Sequence, residues 1–203
     1  MQIERRELIK LFIGVISAHL LLNFTYKDED VFWYMFTASS LVLISYAILN
    51  SRVEDKLSPA LFLAYGVASG LLLFGVFYLG YFVLEALDSA SVRDVAKLYR
   101  DYAPNNIWQY LALILFVVPG EEIFWRGYVF SKLKKQSNLI YSIMASSLLY
   151  ASVQIYAEAW ILVVAAIGAG IYWNILYHWK KSMPLLIVSH LTFDLLLFWY
   201  LPV

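Results

Sequence analysis

Two carboxylates stand side by side in the run Pro119-Gly120-Glu121-Glu122-Ile123-Phe124-Trp125-Arg126. On a helix, Glu122 and Arg126 share a face in the favourable order, acid before base. Glu121 is rotated by about 100° from Glu122, so Arg126 can neutralise one carboxylate while the other faces a cavity. Pro119 removes a backbone hydrogen bond just upstream and frees a carbonyl, and Gly120 adds room. A second pair, His190 and Asp194, has the same helical spacing, which sets an imidazole beside a carboxylate and polarises it. A carboxylate near a fixed imidazole can activate water for hydrolysis, and that chemistry needs no metal or other cofactor. A zinc site built from Glu121, Glu122, His190 and Asp194 is the less favoured alternative, since carboxylate and imidazole suit zinc. Buried Glu–Arg and His–Asp pairs can also do no more than fix helix register. Four ionisable groups at one depth on two helices favour a site.

The elements that must position these groups follow from composition. Of 203 residues, 62% are hydrophobic, mean hydropathy is +0.69, and 15 basic and 15 acidic residues give a net charge of +0. A soluble domain is usually about 45–50% apolar, so a soluble enzyme is excluded. Balanced charge argues against a nucleic-acid partner, and high hydrophobicity argues against disorder. With no cysteine, disulfides, thiolate zinc sites and thiol nucleophiles are out. A bilayer core takes roughly 20 apolar residues per helix, and seven runs qualify: Leu8–Phe24, Val31–Leu49, Ala60–Leu84, Ile107–Phe130, Leu139–Gln154, Ala159–Tyr177 and Leu185–Leu201. None alternates as a barrel strand would. The fold class is all-α, a polytopic transmembrane helix bundle forming a single integral membrane domain over 1–203. Between the third and fourth runs, Glu85–Asn106 reads as carrying a short interfacial helix. The first run is followed by Tyr26-Lys27-Asp28-Glu29-Asp30 with no small-residue cleavage site, and reads as a transmembrane helix rather than a cleaved signal.

Ten basic residues fall on one side (Arg5, Arg6, Lys10, Arg52, Lys56, Lys132, Lys134, Lys135, Lys180, Lys181) and four on the other (Lys27, Arg93, Lys97, Arg100). The positive-inside rule then places the N-terminus in the cytoplasm and the C-terminus outside, in a cytoplasmic membrane. Twelve acids, Glu4 and Asp88 among them, fall in loops. Glu121, Glu122, Asp194 and Arg126 remain at membrane depth, where an ionisable group costs at least about 2.5 kcal/mol and marks function by default. Glu122 lies about 15 Å from Lys132 and Asp194 about 15 Å from Pro184 at ~1.5 Å per residue, so the two pairs share a depth. His19 reads as a packing residue and His178 as solvated. Trp33, Trp108, Trp160, Trp173 and Trp179 read as interfacial belt or packing residues.

The run Glu121–Phe130 resembles the Glu-Glu-x-x-x-Arg motif of the CAAX prenyl protease and bacteriocin-processing (CPBP, Abi) family of intramembrane glutamic proteases. The stretch Gly170–Tyr177, a basic turn, Met183-Pro184-Leu185 and then His190 to Asp194 is similar to its His-x-x-x-Asn/Asp block. The resemblance covers about 107–203. It implies an intramembrane endopeptidase in which Glu121 activates water, Glu122 and Arg126 position it, and His190 and Asp194 bind the water or stabilise the oxyanion. It also implies a membrane-embedded or lipidated peptide or protein substrate in the lipid bilayer. The chain departs from the family's Phe-x-x-x-His block: Phe is Tyr150 and His is Gln154. An amide cannot take up a proton near neutral pH but can donate and accept hydrogen bonds, so Gln154 can still orient a water or the scissile carbonyl. Asp194 replaces the commoner Asn. Two other readings stay open: a weakened relative acting as a membrane scaffold or immunity-type protein, and a proton-coupled transporter.

Overall fold

A computed structural model describes residues 5–87 and 89–200; the readings made for Glu4, Asp88 and Leu201 lie outside the described residues. Among the described residues, eight helices carry the fold. They are α1 (Arg5–Thr25), α2 (Phe32–Asn50), α3 (Pro59–Leu87), α4 (Ser89–Tyr102), α5 (Ile107–Gln136), α6 (Leu139–Ser152), α7 (Trp160–Lys180) and α8 (Met183–Tyr200). Among the described residues, seven helical spans are long and apolar enough to cross a membrane, all but α4, with the span of α6 running through the turn at its end as Leu139–Ala157; each satisfies its backbone polar groups internally, as lipid requires. The protein is an all-α, polytopic membrane protein. Apolar side chains such as Phe12, Leu20, Leu72, Leu79 and Leu148 stay exposed on the outer helix faces, where a bilayer replaces water as the solvent.

The remaining helix is short and amphipathic. In α4, Arg93, Lys97 and Arg100 are exposed while Val92, Val95 and Leu98 are half-buried. The Tyr99 hydroxyl donates to the Leu197 carbonyl at 3.0 Å, pinning α4 to the end of α8. The third span is longer than its apolar run, continuing through Glu85 to Leu87.

Capping and turns fix the connections. Asn138 accepts the Tyr141 N–H at 2.9 Å and starts α6. A turn at Val153–Ala157 closes it. Lys181 adopts a left-handed conformation with φ 49°, which reverses the chain from α7 into α8 within two residues. The loops sort to two ends of the bundle. At one end, Glu7 pairs with Lys132, and Ser182 donates to Asp55 at 2.6 Å. At the other, Tyr26 and Phe32 pack on Tyr102.

Two features bring the helices that carry the ionisable groups together. First, α3 packs along α8 at Gly66 and Gly70: a Cβ at Gly70 would sit 2.5 Å from the Ser189 carbonyl oxygen, and one at Gly66 would sit 2.7 Å from Val188. Second, α5 is not a continuous α-helix. It is wound as π-helix over Leu113–Val117 and again over Glu122–Phe130, on either side of Val118–Glu121. Pro119 has no N–H to donate, and the wider i→i+5 turns accommodate the break; such segments concentrate at functional sites. Helical winding continues beyond Phe130 to Gln136.

Candidate active site

The inner face of α5 carries Glu121, Glu122 and Arg126, and α8 carries His190 and Asp194 opposite them. Glu122 and Arg126 are fully buried. The Glu122 Oε1 accepts from Arg126 Nη1 at 3.0 Å and from His190 Nδ1 at 2.7 Å. A carboxylate only accepts, so Nδ1 carries the proton and the ring is fixed in that tautomer. This leaves His190 Nε2 facing Asp194 Oδ2 at 3.5 Å and Glu121 Oε2 at 3.9 Å. The short contact of the imidazole is therefore with Glu122 on the neighbouring helix, with Asp194 one turn away the looser partner.

The two carboxylates nearest Nε2 differ from Glu122 in exposure: the side chains of Glu121 and Asp194 are each 14% exposed, that of Glu122 0%. Glu121 also accepts from the Tyr150 hydroxyl at 3.0 Å. The tyrosine in the second block thus places a phenol on the carboxylate next to Arg126's partner. Gln154 is buried, and its Oε1 accepts from the Tyr26 hydroxyl at 2.8 Å.

Arg126 is sandwiched. Its guanidinium carbon lies 4.5 Å from the Tyr150 ring centroid and 5.1 Å from that of Trp173, cation–π contacts that hold a desolvated charge. Trp173 also stacks on His190, with centroids 3.9 Å apart and planes 28° off parallel. Its Nε1 donates to Ser189 Oγ at 3.2 Å, and Ser69 Oγ of α3 donates to the same oxygen at 3.0 Å. Of the two readings made for Trp173, belt or packing, the structure shows packing. The residue is 1% exposed and lies about 10 Å from Lys180 along α7 at ~1.5 Å per residue, too deep for the interface. That depth was the available signal. Trp33 is likewise buried, whereas Trp160 and Trp179 are exposed near span ends.

His19 bonds Tyr156 OH and Ser152 Oγ, each at 3.1 Å, and so ties α1 to the turn that carries Gln154. His178 is exposed. Among the described residues, no group of three or more His, Cys, Asp or Glu side chains is arranged to hold a metal ion. Glu122 Oε1 already has two protein donors, while Glu122 Oε2 is buried without a hydrogen-bond partner. Tyr26 lies outside the stretch that resembles the family, and nothing in its local sequence marks it.

Fold and site together define a polytopic membrane protein with a buried acid–base cluster at the meeting of two spans. Residues 103–196 match the family model described as Type II CAAX prenyl endopeptidase Rce1-like. Over that segment the chain is similar to the CAAX-protease family (Rce1-like, Abi/CPBP). No curated protein and no solved structure matches the chain.

Proposed function

We propose that the protein is an intramembrane endopeptidase that hydrolyses a peptide bond of a membrane-embedded or lipidated peptide or protein. The observation that supports this best is the division of labour around His190. One ring nitrogen is locked by the buried Glu122–Arg126 pair, and the other faces two partly accessible carboxylates. Glu121 takes a proton from water as the oxygen attacks the scissile carbonyl carbon. The carbonyl π pair moves onto oxygen. The proton then passes to the leaving nitrogen, through the Glu121–His190–Asp194 cluster, as the C–N bond breaks. Glu122 and Arg126 hold the imidazole, and Tyr150 orients Glu121. The chain's own groups cover each proton transfer, so the reading assigns no metal or cofactor.

The whole chain, 1–203, acts in this reading as one integral membrane domain. The ten-to-four distribution of basic residues supports a cytoplasmic membrane location with the N-terminus inside.

The test is a comparison of membrane peptidomes from cells expressing the wild-type chain or Glu121→Gln. Peptides present only with the wild type are the expected result, and their yield should be unchanged when purified protein is exhaustively chelated. Loss of general-base function costs about 10²–10⁴-fold in rate. Identical peptidomes would sink the endopeptidase reading and favour a scaffold, the reading that the amide at Gln154 also supports.

A further inference from the structure

Gln154 stands where the family pattern has a histidine, and its surroundings limit what it can do. The side chain is 5% exposed. Its Oε1 accepts from the Tyr26 hydroxyl at 2.8 Å, so the amide oxygen is turned towards α1 and both N–H bonds point elsewhere. Among the described residues no acceptor meets those N–H groups, and the amide nitrogen is not one of the fully buried unpartnered atoms, so it keeps accessible surface at which a bound acceptor can meet it. The site's acid lies close by. Tyr26 is within electrostatic reach of Glu121, and Tyr150, one helical turn before Gln154, donates to Glu121. The turn is also held from α1 by His19, through Ser152 and Tyr156.

We infer that Gln154 is the hydrogen-bond donor to the oxyanion of the tetrahedral intermediate, and that Tyr26, supplied from outside the family segment, is the positioning residue that fixes its amide. The inference rests on the endopeptidase reading. When water adds to the carbonyl carbon, negative charge develops on the carbonyl oxygen, and a Gln154 N–H meets it. When the C–N bond breaks, the carbonyl re-forms and that hydrogen bond weakens. Ionised Glu121 and Asp194 only accept and cannot fill this role. An amide can fill it without titrating, so the loss of the histidine removes a proton carrier and keeps a donor.

The test uses the purified full-length chain in detergent micelles and a quenched peptide spanning a Glu121-dependent cleavage site from the peptidome. Gln154→Ala and the near-isosteric Gln154→Glu should lower kcat by about 10²–10³ with KM nearly unchanged. Gln154→Ala buries no charge and covers the case in which Gln154→Glu does not fold. Tyr26→Phe keeps the ring that packs on Phe32 and Tyr102 and frees the amide to turn. It should lower kcat in the wild-type background and have no further effect in Gln154→Ala, because the two act as one unit. Wild-type kcat in Gln154→Ala, or an equal loss from Tyr26→Phe in both backgrounds, would overturn the assignment while leaving the endopeptidase reading in place. A wild-type chain showing no Glu121-dependent cleavage overturns that reading, and the assignment falls with it.

Discussion

Arg126 has no solvent-facing surface, and its charge is balanced by Glu122 at 3.0 Å and by the faces of Tyr150 and Trp173. Removing one partner of a buried ion pair strands the other and costs about 3–5 kcal/mol. Arg126→Ala should therefore lower the stability of the detergent-solubilised protein by that order in a denaturant titration. Arg126→Lys retains the charge but not the planar group that fits between two rings, and should recover only part of the loss. An Arg126→Ala protein as stable as the wild type would show that the pair does not hold the site together. The pair itself was legible, because an acid and a base four residues apart at membrane depth must neutralise each other or leave two charges in lipid. The imidazole's attachment to Glu122 was not, because helical spacing shows only neighbours on one element and pointed to Asp194. The stacking of Trp173 on His190 was hidden for the same reason, although its depth along α7 argued against an interfacial role.

At the scale of elements, the spans were readable from length and hydropathy, and α4 from the charges between them. The π-winding of α5 was not. Apolar residues all round a buried helix leave no periodic pattern from which a wider turn could be told. The approach of α3 to α8 did leave a trace, Gly66 and Gly70 one turn apart in an apolar run, the small-xxx-small pattern of close membrane helices. A methyl group at Gly70 meets the Ser189 carbonyl oxygen at 2.5 Å and Thr192 Cβ at 2.6 Å. The contact is with α8 itself, on either side of His190, and a backbone oxygen cannot rotate away. Gly70→Ala should therefore push α8 outward, destabilise the bundle by about 1–3 kcal/mol and lower peptide cleavage by more than the stability loss accounts for. Gly75, on the same helix, has nothing within 4 Å of the place a methyl group would take, so Gly75→Ala should stay within about 0.5 kcal/mol of wild type. Equal effects at both positions in thermal melts and turnover would show that helix propensity, and not the α3–α8 contact, is being measured.

At the scale of the molecule, the family segment does not contain everything the site uses. Tyr26 just beyond α1, Ser40 of α2 against Gly120, and Ser69 of α3 against Ser189 all come from residues before 103. The resemblance in the sequence began near Ile107, so these supports were invisible to it; they are contacts between spans distant along the chain. They also give the bundle a polarity, since Tyr26 and Gln154 lie towards the end that carries α4, and the basic loops lie at the other. On the endopeptidase reading, which end faces the cytoplasm decides the side from which a substrate strand reaches Gln154. The chain has no cysteine, so single cysteines report without background. Lys97 of α4 and Lys135 at the end of α5 are both exposed and lie at opposite ends. With the basic loops inside, a membrane-impermeant maleimide should label Lys97→Cys in intact cells and Lys135→Cys only after permeabilisation. The reverse pattern would invert the topology, and the end bearing Tyr26 and Gln154 would then face the cytoplasm.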